Sequence, residues 1–116
     1  MGMNADVLCI GKFRKETAKY LDYPEEDYND TKDDSIVTSH LFNCNTADAS
    51  RKLASALGID DPYNFSLHRI NSIKQVNLND LVDLSEQVGE WDPYEEYNHL
   101  RVLLEKDFLC LFQPNY

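Results

Sequence analysis

The chain has 116 residues and a formal net charge of −10, from 21 acidic against 11 basic side chains. That balance excludes direct binding of nucleic acid, where phosphate neutralisation needs Lys and Arg, and disfavours anionic membrane surfaces; no run approaches the roughly 20 apolar residues of a membrane-spanning helix. At 42% hydrophobic residues there is material for one core in a single globular domain over 1–116, without metal or disulfide staples.

In chain order, 5–11 (ADVLCIG) is an apolar run of strand length, expected to be buried on both faces. Residues 12–21 follow as a short helix with Phe13, Ala18 and Leu21 on one side and the only basic cluster around them. Residues 22–34 (DYPEEDYNDTKDD) then hold seven carboxylates and one lysine. Pro24 with Glu25 and Glu26 suits a first helical turn, and 29–34 reads as an exposed loop. From Ser35 to Cys44 the residues alternate, with Ile36, Thr38, His40, Phe42 and Cys44 on one side. Both sides carry apolar residues, which points to a central strand. Asn45 stands at an N-cap position, a helix follows with Ala49, Leu53, Ala56 and Leu57 inward, and Gly58 ends it.

Beyond the acid–proline–tyrosine turn at 61–63, residues 65–70 (FSLHRI) alternate as a strand that continues toward Val76. Asn77 caps a helix with Leu78, Leu81, Val82, Leu84 and Val88 inward, ended by Gly89. Asp92-Pro93-Tyr94-Glu95 is a capping box that opens another helix on Tyr97, Leu100, Leu103 and Leu104. Residues 108–112 (FLCLF) form a terminal strand without polar alternation, expected to be buried in the sheet. The fold class is α+β, or small α/β: about four strands covered by three to four helices.

Three cysteines, Cys9, Cys44 and Cys110, is an odd number, and all lie in strand-like runs. Buried reduced thiols in a cytoplasmic protein are expected. The N-terminus lacks the basic-then-apolar layout of a secretory signal, and Met1-Gly2 before Met3 reads as a cloning remnant.

The chemistry-bearing patterns mostly fail on spacing. Cysteine-dependent phosphatases space cysteine and arginine by five residues; six separate Cys44 from Arg51, Ser50 takes the required place, and Asp48 would repel phosphate. No close Cys or His pair suggests zinc, and His40 and Cys44 on one strand face stand about 13 Å apart. The 27–38 loop lacks the glycine and the terminal glutamate of a calcium hand. Neither a P-loop nor a G-x-G-x-x-G run occurs. No cofactor or metal is therefore expected. A nucleophile pair of Cys44 with His68 on a neighbouring strand, with His40 nearby, is the remaining enzymatic or ligand-binding alternative.

What stands out is an acidic surface dotted with aromatic rings: Asp22, Tyr23, Glu25, Glu26, Asp27, Tyr28, Asp30, Asp33 and Asp34 in one segment, and Trp91, Asp92, Tyr94, Glu95 and Glu96 in another. Carboxylates steer and pair with Lys and Arg, while Tyr and Trp supply stiff anchors. The expected function is a small non-enzymatic module that docks a basic protein surface. In size, acidity and lack of catalytic motif the chain is similar to bacterial immunity proteins, which occlude the basic site of a toxic effector; the similarity is of bulk character, and mimicry of nucleic acid is a variant of it. A third expectation is assembly through the apolar strand 108–112.

Overall fold

The computed structural model describes residues 4–60 and 66–115. Strand β1 (Asn4–Lys12) leads into a 3-10 helix (Lys15–Tyr20) and the short helix α1 (Glu25–Asn29). Then come β2 (Ile36–Cys44), α2 (Ala47–Ala56), β3 (His68–Arg69), a 3-10 turn (Ile73–Gln75), α3 (Leu78–Val88), α4 (Pro93–Glu105) and β4 (Leu109–Asn115). The fold is α+β. Its one sheet runs β2-β1-β4-β3, and every neighbouring pair is antiparallel.

Alternation along the inner strands sets the two faces. Ala5, Val7 and Cys9 of β1 and Cys110 and Phe112 of β4 are buried, and α2 and α4 pack on the sheet. Leu53 of α2, Leu81 of α3, and Leu100 and Leu103 of α4 complete that core, each fully buried. Burial of such a side chain is worth about 1.5–3 kcal/mol. The opposite face, with Leu8, Ile10 and Leu111, is half-buried, and Leu109 is exposed. The expectation that β1 and β4 are buried on both sides is thus corrected: helices cover one face only.

Strand β2 is an edge strand, not a central one. Its apparent apolarity on both sides comes from a bulge. Ala5 pairs with Cys44 but Val7 with Leu41, so β2 carries one residue more than β1 over this stretch. Phe42 takes up the extra residue in the left-handed region, at φ 57°. Val37, Ser39 and Leu41 point inward before the bulge, Phe42 and Cys44 after it. An insertion of one residue reverses a period-2 pattern.

Other departures are local. Thr46, not Asn45, caps α2, its hydroxyl accepting from the Ala49 N–H at 3.1 Å. Residues 12–21 wind as a 3-10 helix over 15–20 only. The 65–76 strand shrinks to His68–Arg69, followed by a 3-10 turn capped by Ser72; its first residue and the 61–63 turn lie outside the described residues. Strand β4 continues to Asn115, past the expected end.

The chain needs two left-handed glycines for different reasons. A Cβ on Gly58 (φ 76°) would lie 2.6 Å from the Gln75 carbonyl oxygen, whereas one on Gly89 (φ 73°) would meet nothing within 4 Å. Gly58→Ala therefore adds a backbone clash to the dihedral strain. Chemical denaturation is expected to show Gly58→Ala losing more stability than Gly89→Ala, about 2–4 against about 1 kcal/mol.

Candidate functional site

The bulge positions a set of side chains between the outer edge of β2 and the N-terminus of α4. A bulky residue held at positive φ costs on the order of 1–3 kcal/mol, so its surroundings must compensate. The Phe42 ring is fully buried and meets Trp91 edge-on, with ring centroids 5.2 Å apart. The Trp91 indole N–H donates to the Asn43 carbonyl at 2.9 Å. The Phe42 backbone lies beside the Glu96 carboxylate and favours its charged form. Trp91 lies in the turn between α3 and α4, and Asp92 caps α4 by accepting from the N–H groups of Tyr94 and Glu95.

Across the groove, the chain at Leu21 and Asp22 closes the outer edge of β2. The Asp22 N–H donates to Ser39 Oγ at 3.0 Å, and the His40 N–H donates to Asp22 Oδ2 at 3.3 Å. The groove, about 340 Å³, is lined by Asp22, Glu90, Asp92, Glu95 and Glu96 with His40, His99, Trp91, Leu21 and Leu41. Five carboxylates share it, and neither lysine nor arginine lines it.

That crowding is legible in the titrations. Burial pushes the Glu96 carboxyl up to about 7, and Glu95, Asp22 and Asp92 push the same way, against the Phe42 backbone. Burial lowers His99, opposed by Glu95 at 3.9 Å. Beneath His40, Asp6 is 8% exposed; its Oδ2 lies 3.0 Å from His40 Nδ1, and its Oδ1 is buried without a hydrogen-bond partner. Burial raises Asp6 despite His40.

The two acidic segments therefore meet, but only in part. Asp22, Trp91, Asp92, Glu95 and Glu96 come together in the groove. Glu25, Glu26, Asp27, Asp30 and Asp33 stay exposed on α1 and the loop after it, and Asp34 is bound by Arg14. The tyrosines do not all serve as anchors: Tyr23 and Tyr28 pack against the core, while Tyr94 is 63% exposed. Trp91 is a wall of the groove, held by Phe42 and Asn43. Sequence reasoning did not place Asp6 or His99 at the site. The spacing of Glu95 and His99, one helical turn apart, was the available signal for the second.

Cys44 and His68 do not come together, which corrects the premise of neighbouring strands. They lie on β2 and β3, the two opposite edges of the sheet, three strand spacings or about 14 Å apart. Burial pushes the Cys44 thiol up to about 12, and it donates to the Phe42 carbonyl at 3.4 Å. Cys9 is raised by its hydrogen bond to Cys110, directly opposite on β4. Among the described residues no three His, Cys, Asp or Glu side chains are placed to hold a metal ion. No helix is long and apolar enough to cross a membrane among them. Compared with protein-family models, with curated proteins and with solved structures, the chain matches none.

Two outcomes are expected. An aromatic-disulfide thiol reagent at pH 8 should leave all three buried cysteines unmodified until the protein unfolds, because a neutral, inaccessible thiol does not attack. The second concerns Glu96. Its proton is held more tightly folded than unfolded, so the native state carries the extra proton between pH ~4.5 and about 7 and stability falls as pH rises through that window. Denaturation curves at pH 5 and pH 8 should show Glu96→Gln removing about 1–3 kcal/mol of that loss, the full shift being discounted for residual solvent contact.

Proposed function

We propose that the protein is a non-enzymatic binding module of the cytoplasm that docks a basic protein surface, placing a lysine or arginine side chain of the partner in the groove between β2 and α4. The observation that carries this reading is the lining itself: five carboxylates, two imidazoles and an indole with no cation among them, on a chain of net charge −10. Unlike charges on an isolated surface attract weakly, but a half-buried carboxylate that is hard to ionise gains more from an arriving cation. Docking a cation would pull Glu96 toward its ionised form and release a proton. Affinity therefore rises with pH toward neutrality, and protonated His99 opposes binding at lower pH. The exposed carboxylates of α1 and its loop extend the negative field and speed encounter without fixing geometry.

The partner class is a protein whose basic site handles nucleic acid or another polyanion, and occlusion of that site is the functional outcome, as in bacterial immunity proteins. The cytoplasmic reading draws on the thiols. The chain has three cysteines, an odd number, and all of them are buried. Buried thiols that a full set of disulfides cannot pair suit a reducing compartment.

Trp91 is the chain's one tryptophan and lines the groove, so its emission reports directly on occupancy. Titration with a short arginine-rich peptide is expected to give a saturable change that weakens about tenfold or more between low and moderately high salt. Glu90→Lys with Glu95→Lys should abolish it, and Asp80→Lys with Asp83→Lys, on α3 away from the groove, should leave it intact. Binding that ignores salt, or that both pairs reduce equally, contradicts the reading.

A further inference from the structure

The face of the sheet away from the helices carries an apolar cluster that the groove does not use. Cross-strand register places Leu8 between His40 and Leu111, Ile10 between Thr38 and Leu109, and Ile36 beside Lys12. Helices α2, α3 and α4 form the layer on the other side. Ile36 is 66% exposed and Leu109 37%, with Leu8, Ile10 and Leu111 partly exposed between them. Five large aliphatic side chains in one patch exceed the single exposed residues normal on a monomer.

We propose that this open face is a self-association surface on which a second copy of the chain docks, sheet against sheet. Charge selects that occupant. The strand positions of this face carry Lys12 and Arg69 as exposed cations and one carboxylate, Asp6, which is buried and bound to His40. The recess at its Lys12 end adds Glu16, Glu105 and Asp107 beside Arg14 and Lys106. Four cations against four carboxylates leave the patch near neutral on a chain of −10. At the groove a second copy would meet carboxylates with carboxylates; here opposite charges balance. In a two-fold pair whose axis lies across the strands, the Lys12 ends of the two sheets lie apart, so these like charges do not meet. Strands of about 25 Å spaced about 4.8 Å apart give each copy a footprint on the order of 400–500 Å², hence about 800–1,000 Å² between two copies. That only just reaches the lower limit of a specific interface, so the dimer is weak and reversible. The contact is made by side chains on the sheet face, which replaces the expectation of strand pairing through 108–112: β4 is flanked by β1 and β3.

Salt separates this surface from the groove. Screening relieves the repulsion between two bodies of like net charge, so dimerisation strengthens with salt while groove docking weakens. Sedimentation equilibrium from about 10 µM to about 1 mM, the range in which a minimal interface associates, is expected to show a monomer–dimer equilibrium that tightens as salt is added. Leu111→Glu and Ile36→Glu should each weaken it tenfold or more. Ile36 already faces solvent, so its substitution leaves the fold intact and decides the matter if Leu111→Glu unfolds. A chain that stays monomeric throughout, or a dimer that Ile36→Glu leaves unchanged, overturns the proposal; either result leaves the peptide titration of the groove unaffected.

Discussion

The backbone of Phe42 is the constraint on which the rest depends. A phenylalanine at φ 57° is strained, and two contacts hold it, its buried ring on Trp91 and the Trp91 indole on the next carbonyl, with the Glu96 carboxylate beside its backbone. Each contact recruits a side chain from the start of α4 or the turn before it. The same bulge that reverses the strand's faces thereby docks the α4 N-terminus against the sheet edge. The groove is a by-product of that docking, and so is its charge. Aspartate and glutamate favour a first helical turn because they complement the helix dipole; when that turn is pressed against Asp22 and His40, its acids become a site.

Stability and recognition pull in different directions here. The Phe42 backbone favours a charged Glu96, yet burial and three neighbouring carboxylates disfavour that charge. A fold chosen for stability would neutralise such a cluster with its own lysines. The described ion pairs made by lysine and arginine instead lie elsewhere, at Asp34, Asp48, Glu105 and Glu16. Strain and uncompensated charge concentrated at one place are what the proposed docking of a partner rests on.

Much of this was legible in the residue order, and the failures have physical causes. Helices α3 and α4 were readable from Asn77, Gly89, Asp92 and Pro93, because caps act through local hydrogen bonds that sequence spacing encodes. The edge position of β2 was not. A strand with apolar residues on both sides reads as central, and only cross-strand register shows that Phe42 has shifted the period. The one-sided covering of the sheet was equally hidden: Leu8, Ile10, Leu109 and Leu111 look like core residues in sequence, and whether a helix lies above them is decided by topology. Within the site, contiguous acids were readable as a charged surface. The convergence of Asp22 with the α4 acids, and the inclusion of His99 and Asp6, depend on contacts between segments far apart in the chain.

The two proposed surfaces adjoin at His40, which lines the groove and sits at the margin of the open sheet face. They differ in chemistry, one anionic and recessed, the other apolar and flat, and therefore take different occupants. Both follow from the way β2 ends the sheet. The most direct test of that account is the ionisation of Glu96 followed by carboxyl NMR. The account predicts a midpoint near 7, falling when an arginine-rich peptide occupies the groove. A midpoint at the ordinary glutamate value of about 4.3, unmoved by the peptide, would contradict it.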